Sequence, residues 1–292
     1  MENAVKSRLQ SVQFGEPQTY KNISILPLIA PADGTIQYCT LGEALAAWDI
    51  VITEVSAADS VPELLVVNRG NKPVLLIDGE DLAGAKQNRV LNTSILVTEV
   101  SETKIPVSCT EQDRWSYASK AFSESGNVMA YKSRSKKTRS VQCSLEESGV
   151  HHSVQGEVWD GIAELHAEAG ASSATSAMIA IYKAREADIC QCTEIFKSVP
   201  NQVGILAIID GQPAALDMVS LTGAYAKLHS KLVRSYTLEA LLVAPKPGEG
   251  GLDAGPSPSG AGEGGAPAPG DGKGAKKKRQ GDVAAQPSAF SL

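Results

Sequence analysis

Short apolar runs separated by turn residues restrict the fold of this sequence more than any other feature. Examples are 22–29, 50–54 and 63–68, in which β-branched residues are frequent. Turn signals recur about every 8–12 residues over 22–115, a spacing typical of antiparallel sheets. We therefore predict about six or seven short strands there. The expected fold is α+β, with an antiparallel β-sandwich or open barrel at its centre.

Two Asp-Gly pairs are expected to connect strands in this sheet. The pairs at 78–79 and 210–211 each stand between apolar runs. Asp and Gly both tolerate the positive φ of a type I′ turn, so each pair predicts a two-residue hairpin. We also expect the run 95–97 to pair with 105–107 across the polar turn between them.

Helical spacing marks one short segment near the start and much of the chain after residue 150. Thr40 and the glutamate three residues later have capping-box spacing, which predicts a helix over 40–48. Apolar residues recur every three or four positions over 154–169, and further helices are expected up to about Val199 and over 222–242. These C-terminal helices are expected to pack on the sheet.

The expected organisation is a single α+β domain over 1–244 followed by a tail over 245–292. The domain is expected to be β-rich over 20–115, to have a long exposed loop over 116–150, and to be helix-rich over 151–244. The loop carries five cations within eight residues: Lys132, Arg134, Lys136, Lys137 and Arg139. The tail is mostly Gly, Pro and Ala, which bury too little area to offset ordering entropy, so we expect disorder there. Its one basic cluster is expected to aid solubility, with contact to nucleic acid as the alternative.

Composition removes several classes of protein from consideration. The net charge is −6, so no global basic field indicates a nucleic-acid partner. No apolar run reaches the roughly 18 residues needed to cross a bilayer, and the N-terminus has no apolar signal region. The five cysteines lack framework spacing, which favours reduced thiols and a cytoplasmic protein.

Ionic and amide side chains interrupt the most apolar part of the chain, 64–115. Arg and Gln on one strand face would bind a phosphate or carboxylate, and Trp would stack a base. The residues expected to bind such a ligand are Glu80, Lys86, Gln87, Arg89, Glu111, Gln112, Arg114 and Trp115. The alternatives are a solvated strand face with local ion pairs, and a core Trp beside an Arg–Glu pair that locks a strand end.

Energetics suggests where these groups lie. An unpaired buried charge costs several kcal/mol, so charges beside the strongest strands must face water or meet one another. We expect Glu80, Gln87, Arg89, Glu111 and Arg114 to converge on one cleft, which the basic loop 132–139 would close as a lid.

The sequence has no pattern typical of nucleophilic catalysis or metal binding. Cys109 lacks a nearby histidine and is expected to be a buried small hydrophobe rather than a nucleophile. The histidines at 151, 152 and 166 lack metal-ligand spacing, and no nucleotide-loop or hydrolase signature is present. We expect no metal and no cofactor.

Two polar blocks carry a family resemblance: GEDLAGAKQNRVLNTS and PVSCTEQDRW. With the later VQGEVWDGI and KLVRSYTLEAL, they resemble the bacterial ARG- and rhodanese-phosphatase-superfamily-associated protein domain family, over about 22–242. ARG there means ADP-ribosylglycohydrolase. The resemblance implies a role near NAD or ADP-ribose metabolism and supplies no catalytic residues. The family typically has a small residue where this chain has Asp113, which adds a carboxylate here.

Two function classes follow. The first is a small-ligand binding or sensor domain for a nucleotide-like anion, with no membrane partner and no clear nucleic-acid partner. The second is a hydrolase or transferase on an ADP-ribose-type substrate, with Glu80 or Glu111 as general base. Convergent Arg, Gln and Trp suffice for the first, so the sequence favours the binding domain. A structural partner protein is a third reading.

Overall fold

The computed structural model describes residues 2–55, 62–114 and 116–242. The elements of the first half are α1 Glu2–Ser11, β1 Gln13–Phe14, β2 Gln18–Tyr20, β3 Ile23–Ile29, β4 Cys39–Thr40, α2 Leu41–Ala46, β5 Ile50–Glu54, β6 Glu63–Asn68, β7 Val74–Leu76, β8 Glu80–Gly84, β9 Arg89–Leu91, β10 Ile95–Val97 and β11 Ser101–Cys109. They continue with β12 Phe122–Val128, α3 Tyr131–Ser148, α4 Gln155–Ala169, α5 Met178–Ala184, α6 Glu186–Ile195, β13 Gln202–Ile209, β14 Gln212–Met218 and α7 Thr222–Leu242. The expected tail and Trp115 lie outside the described residues.

The strands form three sheets. A six-stranded half-barrel sheet has the order β12-β8-β9-β11-β6-β5, and a second sheet has the order β1-β3-β13-β14, with β2 also paired to β3. The third sheet has the order β10-β7-β4. All the strand pairs in these ranges are antiparallel except β4 with β7. The α+β fold expected from the sequence is therefore confirmed, including the C-terminal helices.

Alternation of side chains places the core inside the half-barrel. Strand β6 alternates buried and partly buried residues along its length, as expected for a strand with one face on a core. A second core lies between β13 and α7, and a third is built around α4 and α5. The described residues all belong to one compact unit. None of the helices among them has both the length and the apolar character needed to cross a membrane.

Several helices and one hairpin follow the sequence prediction. Thr40 caps α2 in a complete capping box with Glu43. The Asp-Gly pair at 210–211 has positive φ at both residues, 52° and 72°, and joins β13 to β14. The helix expected up to about Val199 is instead two helices, α5 and α6, which meet at Arg185.

The hairpin predicted at 78–79 is wrong. Gly79 has a φ of 79°, but Asp78 does not have the positive φ of a type I′ turn. Strand β7 pairs with β10 and β4, whereas β8 pairs with β12 and β9. This corner therefore moves the chain from one sheet to another. A Cβ at Gly79 would lie 2.5 Å from the Cδ of Arg134, so the corner also needs glycine for space.

The pairing predicted between 95–97 and 105–107 is also wrong. Strand β10 pairs with β7, in the register Ile95 opposite Leu76. Strand β11 pairs instead with β6 over Ser101–Pro106 and with β9 over Val107–Cys109.

The long basic loop predicted over 116–150 is wrong as well. This stretch contains β12 and the 18-residue helix α3. The buried residues of α3 are Arg134, Lys137 and Val141, which share one helical face but include only one apolar residue. The hydrophobic periodicity that reveals most amphipathic helices is therefore missing.

Candidate functional site

A cleft of about 500 Å³ lies where the end of β8 meets the loop before α5. Two loops form its walls, 84–88 on one side and 173–177 on the other. Glu111 and Arg114, which were predicted as ligand-binding residues, line the cleft between them. Small side chains and hydroxyl groups make up much of the remaining surface.

Glu111 connects both walls of the cleft. Its Oε2 accepts hydrogen bonds from the amide of Asn88 (3.2 Å) and the Nε of Arg114 (2.9 Å), and its Oε1 accepts one from the hydroxyl of Thr175 (2.7 Å). Burial alone would raise the pKa of this carboxyl, but the hydrogen bonds from Arg114, Thr175 and Asn88 lower it below its ordinary value. Glu111 is therefore held as a carboxylate.

Arg114 holds the first wall in place. A guanidinium has five N–H donors, and each of those of Arg114 has an acceptor in the protein. The acceptors are Glu111 Oε2, the carbonyl oxygens of Gly84, Ala85 and Ser116, and Asn88 Oδ1. No donor is left for a ligand, so Arg114 positions the loop 84–88 instead of binding an anion.

Both walls contain residues in an unfavourable backbone conformation. Ala85 has a φ of 43° and Ser176 a φ of 50°, and Gly84 before Ala85 has a φ of 132°. A non-glycine residue in this region costs about 1–3 kcal/mol and is common at functional sites. The interactions of Glu111 and Arg114 hold this strained shape.

Lys183 and Ser173 are cleft residues that keep unused donors. Lys183 is exposed, and its ammonium makes no hydrogen bond or ion pair with any other residue that the structure describes. The oxygen of Ser173 accepts from the amides of Thr175 (3.3 Å) and Ala177 (3.0 Å), which leaves its hydroxyl proton available. The cleft therefore offers a cation and a hydroxyl donor to a ligand.

Arg89 and Gln87 do not share this cleft, so the predicted convergence of five residues is wrong. Arg89 is buried and donates to Gln87 (2.9 Å) and to the sulfur of Cys109 (2.7 Å), and it lies 3.7 Å from Glu54. Asn88, which stands between these two residues, accepts a hydrogen bond from Arg114 instead. Successive residues in extended chain face opposite sides, which places Arg89 and Arg114 on opposite faces.

Cys109 is a buried free thiol, as predicted. Its burial raises the pKa of the thiol, although the nearby Arg89 guanidinium opposes that change. A buried thiol with a raised pKa is a poor nucleophile.

Glu80 lies away from the cleft, in the layer between the half-barrel and α7. It is fully buried and accepts from Lys231 (2.5 Å) and from the amide of Ile77 (3.2 Å). Lys231 also pairs with Glu124. The carboxylate of Glu80 is therefore fixed in an ion pair.

The other predicted residues have varied positions. Lys86 stacks on Tyr117, with its Nζ 5.6 Å from the ring centre. Gln112 uses its backbone: its carbonyl accepts from Gln87, and its amide donates to Thr175. The basic segment 132–139 is part of α3 and is not a lid.

The sequence reading missed a buried acid beside the cleft. Asp81 is fully buried, and burial raises its pKa to about 6. Thr110 donates to its Oδ1 (3.0 Å), while Oδ2 has no hydrogen-bond partner of normal geometry. Ala83 follows Asp81 by two residues along β8 and lines the cleft. Because side chains alternate along a strand, Asp81 and Ala83 lie on the same face of β8.

A second cavity, of about 870 Å³, lies between α3 and α4. Its walls are two regular helices and the turn between them, and they carry charges of both signs. Residues around it include Lys136, Arg139, Cys143, His152, Glu157 and Glu164. No group of three or more His, Cys, Asp or Glu side chains among the described residues could hold a metal ion.

Comparison with known proteins shows the family to which this chain belongs. The family model described as ARG and Rhodanese-Phosphatase-superfamily-associated Protein domain matches residues 11–259, which include the whole cleft. No curated protein and no solved structure matches the chain.

Proposed function

This chain belongs to the ARG and Rhodanese-Phosphatase-superfamily-associated Protein domain family, and we propose that its cleft binds a small nucleotide-like anion. The protein would act as a ligand-binding or sensor domain with a link to NAD or ADP-ribose metabolism. The family description supports that link only by its reference to ARG, the ADP-ribosylglycohydrolases.

The observation that carries the proposal is the ammonium of Lys183, which lies in a cleft of about 500 Å³ and has no partner among the described residues. Ligand sites commonly measure about 300–1,000 Å³ and combine apolar surface with a few polar groups. Ala83, Ala118 and Ile179 supply apolar surface here. A phosphate at Lys183 would leave the remainder of a nucleotide to contact that surface.

Binding is favoured over the alternative, a hydrolase or transferase with a glutamate base. A general base works best with a pKa near the operating pH, whereas hydrogen bonds lower the pKa of Glu111. Glu80, the other candidate, is enclosed with Lys231 and cannot reach a ligand in the cleft. Turnover of ADP-ribose by the purified protein would favour the alternative.

Isothermal titration with ADP-ribose, ADP and NAD tests the proposal. At least one should bind, and Lys183→Gln should weaken binding about tenfold, because a charge-assisted contact is lost. Lys227→Gln is the matched control, since Lys227 is an exposed lysine of α7 with no ion pair among the described residues. Equal affinities for the two variants would contradict the assignment of the cleft.

A further inference from the structure

We propose that the cleft selects ligands that carry a free hydroxyl group as well as the anion, as a sugar phosphate does. This inference rests on the proposed function and concerns the wall opposite β8. Its basis is the hydrogen-bonding capacity that remains at Glu111 and Ser173 after their contacts within the protein are counted.

Glu111 keeps one acceptor position. A carboxylate oxygen accepts about two hydrogen bonds. Oε2 is saturated by Asn88 and Arg114, but among the described residues Oε1 accepts only from Thr175. The side chain is 6% exposed and lines the cleft, so the free position of Oε1 can accept a hydrogen bond from a ligand.

Ser173 keeps the complementary donor close by. Its oxygen accepts from the amide of Thr175, and the hydroxyl of the same Thr175 donates to Glu111. Thr175 therefore makes hydrogen bonds to both Ser173 and Glu111, which places these two side chains near each other. A ligand hydroxyl can donate to the carboxylate and accept from the serine at the same time, which neither a fully ionised phosphate nor an alkyl group can do.

The two ends of the cleft then differ in chemistry. Lys183 offers positive charge, whereas Glu111 and Ser173 offer an acceptor beside a donor. A ligand that satisfies both ends has an anionic group and a hydroxyl on one small frame, and phosphorylated pentoses and ribonucleotides belong to this class. A site that hydrogen-bonds a hydroxyl discriminates against an analogue without it, because its own polar groups are left unpaired.

Titration with ribose 5-phosphate and pentyl phosphate separates the contribution of the hydroxyl groups to binding from that of the phosphate. Pentyl phosphate keeps the phosphate and the five-carbon chain but has no hydroxyl. Ribose 5-phosphate should bind at least about tenfold more tightly to the wild-type protein, as expected for hydrogen bonds that involve a charged group. This comparison needs no variant and is unaffected by changes in folding.

Ser173→Ala should reduce that ratio without abolishing it, because the hydroxyl of the ligand can still donate to Glu111, whereas Lys183→Gln should weaken both ligands equally and preserve the ratio. Ser123→Ala is the matched control, since Ser123 also lines the cleft but already donates to the carbonyl of Ala83. Equal wild-type affinities for the two phosphates would overturn this inference and leave the proposed function standing. Failure of both phosphates, ADP-ribose, ADP and NAD to bind would contradict the proposed function, and this inference with it.

Discussion

The ionic layer beneath α3 and the cleft at the end of β8 use the same kinds of residue in different ways. In the layer, Lys137 pairs with Asp78 at 2.5 Å and Arg134 with Asp217 at 2.6 Å. In the cleft, Glu111 and the residues around it are paired in the same way, but Lys183 has no partner in the part of the chain that the structure describes. The difference supports our proposal that the cleft receives a ligand, whereas the layer stabilises the fold.

The largest effect should come from the layer. Asp78→Ala leaves the fully buried ammonium of Lys137 without its carboxylate, which should cost on the order of 3–5 kcal/mol in the free energy of unfolding. Glu164→Ala is the control, because it breaks the exposed Lys136–Glu164 pair and should cost below about 1 kcal/mol. Urea denaturation measures the free energy of unfolding of both variants. Similar losses would show that the buried ion pair stabilises the fold no more than the exposed one.

The second effect concerns Asp81, because its burial disfavours the ionised carboxylate in the folded state. The rise in its pKa from 3.8 to about 6 means that the folded state binds more protons than the unfolded state between those values. Stability should therefore fall as pH rises through this window, by about 3 kcal/mol from this group. Asp81→Asn should remove that loss and be more stable than the wild type at pH 8. An equal dependence on pH in both proteins would contradict the shift.

Glu111 should show the opposite dependence on pH. Its pKa is lowered in the folded state, so its contribution is present above the unfolded value of 4.5 and is lost as pH falls through the folded value. Glu111→Gln should destabilise the protein by about 1–2 kcal/mol at pH 7, with the difference disappearing in acid. Thermal melts of the two proteins across pH would show this, and a difference that persists in acid would refute it.

The smallest effect on stability should come from Lys183. An exposed side chain without a partner contributes within about 0.5 kcal/mol, so Lys183→Gln should have a urea midpoint close to that of the wild type. A large loss of stability would mean that Lys183 supports the fold, and the contrast between the layer and the cleft would fail.

The sequence predicted local structure well where local rules decide it. Thr40 caps α2 as its spacing indicates, and the turn at 210–211 joins β13 to β14, while β3 pairs with the other edge of β13. The same dipeptide at 78–79 behaves differently because β10 and β4 occupy the edges of β7. Hairpin chemistry permits a turn but does not decide which strands pair.

The candidate site was predicted only in part. Glu111 and Arg114 do line the cleft, but Arg89 lies on the opposite face, since alternation along 87–89 separates it from Asn88 and Arg114. Lys183 escaped notice because it is distant in sequence. It reaches the cleft through α5, whose first amide donates to the carbonyl of Thr110 (2.9 Å). No periodicity encodes such a contact.

Hydrogen–deuterium exchange with and without ADP-ribose tests the central claim most directly, because it reports where a ligand binds. Exchange should slow in 83–88 and 173–183, the two walls of the cleft, and should not change around the cavity between α3 and α4. Protection confined to 136–164 would place the ligand in that second cavity and contradict the assignment of the cleft.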